Sequence, residues 1–391
     1  MFIKSLKLSS LLSYGPDSAP VELRSLNVLI GPNGSGKSNF LEAIALLQAA
    51  PNRVSNLIHS GGGIGDWLYK SCEATIAPEA RIEAVISTPS RWGKDFRYGL
   101  AFHDSGGRFE INDEYLENES PDGGAPEPYF FYRWNAGRPL LNTKELGQRK
   151  LLRESIKPDQ SILAQKRDSD LYPELTWTAN QLEAVRLYRE WTFGRKAAPR
   201  LPQKTDQAND RLEPDGSNLG LVLNRLRMNL AVRRQLVEAL QVVYDGIEDV
   251  DVRVEGGTAQ VFLIEQAGAI PATRLSDGTL RYISLLALLC DPTPPPLVIL
   301  EEPELGLHPD VLPSLARLLM EASSRAQWIV TTHAPSLIDA LSEHTDAVLV
   351  CERDSDGTHL ARLDADQLAP WLEKFRLGEL WTRGQIGGTR W

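Results

Sequence analysis

Cysteine is scarce: Cys72, Cys290 and Cys351 are the only three in 391 residues. They are odd in number, far apart and form no CxxC pair. That excludes a disulfide framework and a cysteine zinc site, and it points to a reducing compartment. Long apolar runs are missing too. The longest near a helix, Ile283 to Cys290, is broken by Ser284 and is far shorter than the roughly 20 residues of a membrane span. The opening Met-Phe-Ile-Lys-Ser-Leu-Lys has no signal-peptide apolar core, so a cytoplasmic location with no membrane partner is expected. Positive charge is in deficit, with 42 Lys and Arg against 52 Asp and Glu, a net −10. Such a chain is a poor general binder of nucleic acid, and any such contact needs a local basic patch. No internal repeat is visible.

The length allows a large core. Two strands are expected in residues 1–30: Phe2 to Leu8 alternates, and Val21 to Ile30 alternates and then becomes continuously apolar. Asn39 to Ala49 has helical spacing and stops before Pro51. Arg81 to Ser87, Phe96 to His103 and Arg108 to Ile111 predict antiparallel strands, the last two joined at Gly106-Gly107. From Lys144 the pattern turns helical, with helices predicted over Leu175 to Phe193 and Leu219 to Tyr244. Residues 197–218 predict a long loop. Val250 to Val254 and Ala259 to Ile264 pair around Gly256-Gly257. Strand–helix units then follow Pro294-Pro-Pro296, and a strand Ala347 to Cys351 with its partner His359 to Leu363 closes the core. The fold class is therefore α/β. Residues 1–143 and 291–391 would form a nucleotide-binding lobe with a parallel core and added antiparallel strands, and 144–290 an inserted helical lobe.

Between the apolar run Leu26 to Ile30 and the helix from Asn39 stands Gly31-Pro-Asn-Gly-Ser-Gly-Lys-Ser38. It matches GxxxxGK[ST] at every fixed position. Glycines let backbone N–H groups curl around an anion, and the following helix turns its positive end toward phosphate. Lys37 is placed to reach β- and γ-phosphates and Ser38 to ligate Mg²⁺. Downstream, the apolar strand Leu297 to Leu300 ends in Glu301-Glu302-Pro303. Acids at the carboxyl edge of a parallel strand sit where open α/β sheets bind ligands, one suited to a hydrated metal and the next to polarising a water. Leu275-Ser-Asp-Gly-Thr279 opens another apolar helix, with Ser276 as its N-cap and Gly278 allowing a close approach. Thr331-Thr332-His333 follows the strand Trp328-Ile-Val330.

In this order the four pieces resemble the ABC-type ATPase superfamily, and more narrowly the SMC-related, AAA_21-type predicted ATPases akin to RecF and the OLD family. "IKSLKLSSLLSYG", "EEPELGLHP" and "LGELWTRGQIGGTRW" strengthen the narrower resemblance, which covers nearly the whole chain. It implies that Gly31, Asn33, Gly34, Ser35, Gly36, Lys37, Ser38 and Asn39 hold ATP, with Mg²⁺ on Ser38 and Glu301. It implies that Glu302 is the catalytic glutamate, with Lys37 and His333 beside the γ-phosphate. Ser276 and Gly278 would reach a nucleotide on a second copy, Glu304 to Leu307 would line the dimer seam, and Gln160 or Gln165 would sense Mg²⁺. Glu301 stands where Asp is usual, and Asp277 where Gly is usual. Tyr14 is open between adenine packing and loop packing. The implied assembly is an ATP-dependent homodimer, open to a higher oligomer, with a separately encoded effector protein.

Residues 186–211 carry Arg186, Arg189, Arg195, Lys196, Arg200, Lys204 and Arg211 among Tyr188, Trp191 and Phe193; Arg225, Arg227, Arg233 and Arg234 follow. Basic residues mixed with aromatics suit DNA, a protein partner or a solvated helix face. The 58 residues from Ala334 to Trp391 are too few for a Toprim nuclease domain of usual size. Trp371, Trp381 and Trp391 either pack back onto the core or dock a partner.

Overall fold

A computed structural model describes the chain except residues 73–74, 136–137, 144–146, 151–155, 190, 193 and 389–391. The chain divides into two units, Met1–Arg24 with Gly31–Val185 and Leu349–Arg362, and Ser25–Ile30 with Arg186–Val348 and Leu363–Trp391.

The first unit is built on an antiparallel sheet. Numbered along the chain, its strands are β1 (Ile3–Ser9), β2 (Val21–Glu22), β4 (Glu79–Ile86), β5 (Phe96–Asp104), β6 (Phe109–Asn118), β7 (Phe130–Asn135), β8 (Arg138–Thr143) and β9 (Gly147–Lys150), in the order β2-β1-β4-β5-β6-β7-β8-β9; β3 belongs to the second unit. Strand β4 alternates strictly, burying Ala80, Ile82, Ala84 and Ile86, as a sheet with one packed face requires. β17 (Val348–Asp354) and β18 (Gly357–Arg362) form a hairpin turned at Ser355-Asp356. Helices α1 (Lys37–Ala49), α2 (Val54–Ser60), α3 (Ile64–Trp67), α4 (Ile162–Gln165) and α5 (Pro173–Glu183) lie in this unit.

The second unit contains parallel strands β3 (Leu26–Ile30), β10 (Arg186–Tyr188), β15 (Leu297–Glu301) and β16 (Gln327–Thr331), in the order β10-β15-β16-β3. β3 and β16 are buried at every residue, as expected of parallel strands covered on both faces. A smaller antiparallel group joins β11 (Gln203–Lys204), β12 (Ile247–Glu255), β13 (Thr258–Glu265) and β14 (Gly268–Pro271). The helices that matter below are α6 (Leu219–Arg227), α7 (Leu230–Gln241) and α8 (Asp277–Leu289).

Three local expectations change. The helix predicted to run to Phe193 ends at Glu183, and Arg186–Tyr188 becomes a strand, because its backbone finds β15 as a parallel partner. The helical pattern expected from Lys144 gives way to β9, which continues the antiparallel meander. The single helix expected over 219–244 is two, because the Asn229 side chain accepts from Ala231 and Val232 N–H and starts α7 afresh.

One buried carboxyl sets a pH dependence. Glu114 on β6 is 2% exposed. It accepts from the Tyr98 hydroxyl at 2.7 Å, from Ile162 N–H at 2.8 Å and from the Ser161 hydroxyl. Burial pushes its pKa up to about 7, against 4.5 ordinarily, with Asp113 adding a smaller push. For a carboxyl raised in the folded state, the stabilising contribution is complete below pH 4.5 and is lost as pH rises through 7. Urea titrations at pH 5.5 and pH 8 should therefore differ by about 2 kcal/mol from this group, 1.36 kcal/mol for each of about 1.5 pH units. Glu114→Gln should remove that difference; an unchanged difference would show that other groups carry it.

Candidate nucleotide site

In the first unit the phosphate loop is fastened by its carbonyls. Lys37 Nζ, on a residue 6% exposed, donates to Gly31 O at 2.8 Å and Pro32 O at 3.1 Å. The Ser35 carbonyl accepts from the Thr358 hydroxyl at 2.9 Å and from Cys351 Sγ at 3.3 Å, and the Gly36 carbonyl accepts from the Tyr14 hydroxyl at 3.2 Å. Asn39 donates to Ser13 Oγ, which also bonds Thr358. The negative ends of these peptide dipoles are thus turned into the protein, away from any ligand. Gly36 has φ +109°, and a Cβ there would lie 2.3 Å from Thr358 Oγ1 and 2.8 Å from Ser13 Oγ; only glycine closes the loop this tightly. Helix α1 begins at Lys37 with no side-chain cap and no acid in its first turn. An anion fits there, since the first turn carries no acid and no side chain caps the helix's positive end. Asn33, Gly34 and Ser38 are exposed on the loop. Tyr14, 2% exposed, is a loop-packing residue.

In the second unit, register places the acids. Glu301 is paired with Thr331 and Thr331 with Leu29, so the carboxyl edges of β15, β16 and β3 stand side by side. β3 ends at Ile30 on that edge, and the next residue in the chain is Gly31. The Glu301 carboxylate lies 3.6 Å from the Arg189 guanidinium. β10 runs parallel to β15 with Tyr188 opposite Leu300, so the next residue, Arg189, continues the register to Glu301. Glu302 adopts φ +45°, a left-handed conformation that costs a residue with a Cβ about 1–2 kcal/mol. Its N–H donates to Thr331 O at 3.1 Å and to Thr331 Oγ1 at 3.2 Å, and its carbonyl accepts from Arg281 Nη2 at 2.5 Å. His333 Nε2 lies 3.5 Å from the Glu302 carboxylate. Glu304 turns inward, accepting from the Thr332 hydroxyl at 2.7 Å and from His333 N–H at 2.8 Å. Burial raises its pKa. Glu304 therefore ties the loop after β15 to the segment after β16.

The signature segment is also ordered by sequence-local chemistry. Ser276 Oγ accepts from Thr279 N–H at 3.0 Å and caps α8, leaving Ser276 exposed. A Cβ on Gly278 would sit 2.5 Å from the Gly306 carbonyl, so glycine is needed there for the approach of residues 304–307. Asp277, unusual at its position, pairs with Arg200 at 2.5 Å. The Arg200 hydrogen bond holds its carboxyl below the usual carboxylate range. Arg200, 8% exposed, also donates to the carbonyls of Ala272, Thr273 and Leu275, the residues leading into the signature.

Several sequence candidates separate. Gln165 is committed to the backbone of Lys157 and Gln160. Part of the basic stripe stands in ion pairs: Arg189 with Glu301, Arg200 with Asp277, Arg225 with Asp291, Arg227 with Asp251 and Arg233 with Asp249. Tyr188 is buried and stacks on the half-buried Trp191, so Tyr188 is core rather than a base-stacking surface. Phe193 and Trp391 lie outside the described residues. Trp381 is buried and donates to Gly388 O, while Trp371 is 48% exposed. Sequence reading did not single out Arg281 or Thr358; no motif marks them, and only their partners, Glu302 O and Ser35 O, reveal them. Among the described residues no cluster of three or more His, Cys, Asp or Glu forms a metal site of protein ligands alone, and no helix is long and apolar enough to cross a membrane.

Residues 26–339 match the family described as "AAA domain, putative AbiEii toxin, Type IV TA system". No curated protein matches the chain. Among solved structures the chain is similar to an Smc head bound to the C-winged helix domain of ScpA, with TM-score 0.59 at 14% identity over 94% of this chain and 99% of that one. A Pyrococcus furiosus Smc head domain with an extended coiled coil, bound to the C-terminal domain of ScpA, gives 0.55 at 15% identity over 95% and 99%. The Pyrococcus yayanosii Smc head domain with a coiled coil and joint gives 0.54 at 12% identity over 95% and 99%. The fold is thus the mixed α/β fold of SMC-type ATPase heads.

Proposed function

Because the chain belongs to this AAA-domain family, we propose that it is a Mg²⁺-dependent ATP-binding and hydrolysing ABC-type head that dimerises around ATP and drives a separately encoded effector, in antiphage defence. The observation that carries the proposal is Glu302 held in a left-handed conformation at the carboxyl edge of β15, beside Thr331 and His333. Backbone strain of this kind persists where surrounding structure enforces it, and it concentrates at active sites.

In this reading Gly31 to Ser38 binds the phosphates through backbone N–H groups, and Lys37 neutralises charge on the transferred group. Ser38 and Glu301 would hold Mg²⁺, whose charge offsets that of the β- and γ-oxygens. Glu302 accepts a proton from the attacking water, and His333 orients the Glu302 carboxylate. Exposed Ser276 and the glycine turn at 278 serve a nucleotide on a second copy. A separate protein effector is favoured over DNA because Arg225, Arg227 and Arg233 are held in ion pairs with Asp291, Asp251 and Asp249; the similar Smc head bound to a domain of ScpA supports this reading.

One observation favours a second reading, an ATP-gated scaffold of little turnover: Arg189 lies against Glu301, where its cation competes with a metal. Light scattering with Mg²⁺ and a non-hydrolysable ATP analogue tests the proposal. Wild type should double its mass and Lys37→Ala should not; a wild type of unchanged mass would overturn it. Doubling of mass with phosphate release no faster than in Glu302→Gln would select the scaffold.

A further inference from the structure

Arg281 is the fifth residue of α8 and is 4% exposed. Arginine is almost never this buried unless its guanidinium has a specific task. Its ring-like fork lies over Trp191, 5.1 Å from the centroid, and Trp191 stacks in turn on Tyr188, the last residue of β10. From that position Nη2 donates to the carbonyl oxygen of Glu302 at 2.5 Å. Burial pushes the guanidinium pKa down to about 10, while the Glu304 and Glu302 carboxylates oppose that shift. It nevertheless stays charged at neutral pH.

A left-handed φ at a residue with a Cβ is disfavoured. A hydrogen bond from a charged donor is among the stronger bonds a backbone carbonyl accepts, and it holds Glu302 there. The two Thr331 bonds fix the N–H side of residue 302, and Arg281 fixes its carbonyl side, so the peptide planes on both sides of the strained α-carbon are clamped. We infer that Arg281, steadied by Trp191, is a positioning residue that holds the Glu302 backbone in its left-handed conformation and so aims the Glu302 carboxylate. The consequence reaches further along α8: the helix that opens with the signature Ser276 also grips the main chain of the glutamate in its own subunit. The catalytic part of this inference rests on the ATPase reading above; the conformational part does not.

The test uses the full chain with Arg281→Met, which keeps a stem over Trp191 and removes the donor, Arg281→Lys, which keeps a cation, and Trp191→Leu, which removes the stack. Backbone hydrogen exchange over residues 301–307 should quicken by about tenfold or more in Arg281→Met, less in Arg281→Lys, with the α8 amides unchanged. The kcat for ATP should fall by about ten- to a hundredfold, with nucleotide Kd within about twofold of wild type, because a small misaim of a base lowers rate without weakening binding. Trp191→Leu should reproduce a weaker form of both effects if Arg281→Met fails to fold. Wild-type exchange over 301–307 in the folded variants would overturn the inference. So would faster exchange accompanied by a fall in Kd-linked binding and kcat together, which marks general loosening. Should wild type itself release no phosphate above the Glu302→Gln level, the ATPase reading fails, and the exchange result alone decides whether Arg281 sets the Glu302 backbone.

Discussion

Glu302→Gln should lower steady-state phosphate release by about 10²- to 10⁴-fold, the usual contribution of a positioned general base, while nucleotide binding stays within a few-fold of wild type. The substitution is isosteric and leaves both Thr331 bonds and the Arg281 bond to the main chain in place. What is lost is the proton acceptor, with the carboxylate charge that faces His333. The variant should therefore accumulate the nucleotide-bound dimer, since the step that would release it is slowed. Phosphate release followed by a coupled assay, with light scattering on the same samples, checks both parts. A comparison with Glu302→Gly separates chemistry from strain: glycine accepts φ +45° without penalty, so that variant should be equally inactive and yet about 1 kcal/mol more stable to urea. Retained turnover in Glu302→Gln would remove the residue from the reaction.

Gly36→Ala should abolish measurable nucleotide binding, with affinity lowered by at least about a hundredfold, and should destabilise the first unit by about 2–4 kcal/mol. Two terms add. A residue with a Cβ at φ +109° is strained by about 1–3 kcal/mol wherever it stands. The new methyl would also lie 2.3 Å from Thr358 Oγ1 and 2.8 Å from Ser13 Oγ, so the Thr358–Ser35 and Thr358–Ser13 bonds must break or the loop must lift. Lifting the loop moves the start of α1 off its anion-facing position. Thr358→Ala in the same background supplies the check: it relieves the clash but not the backbone strain, so it should restore part of the stability and little of the binding. Full recovery of binding would mean that loop conformation matters less than side-chain space. Isothermal titration with ATP and thermal unfolding read the two quantities.

The motifs were legible because their chemistry is local. A Gly-rich turn between an apolar strand and a helix, a carboxylate pair ending a buried strand, and Ser276 capping a helix each require only a few adjacent residues, and each lies where that chemistry placed it. Hairpins such as β12–β13 at Gly256-Gly257 were legible for the same reason. Residues 186–193 were not. Arg186-Leu-Tyr188 has no strand signature of its own, and its conformation is set by a partner more than a hundred positions away in β15. The partners of the basic stripe were not legible because charge along the sequence says nothing about what faces it: Arg227 and Arg233 meet Asp251 and Asp249 on β12 only after α6 and α7 pack there.

The sequence by itself determined a glycine-rich loop between a buried strand and a helix, and a carboxylate pair at a strand end, since glycine freedom, helix polarity and strand-end acids are properties of short segments. Tertiary structure alone decided how those groups are aimed. Tyr14, Cys351 and Thr358 turn the loop's carbonyls inward, Arg189 faces Glu301, and Thr331 with Arg281 holds Glu302 in a conformation its own side chain disfavours. The physical reason is range: a single strained or buried group is stabilised by donors drawn from distant parts of the chain, and no local pattern records which donors will arrive.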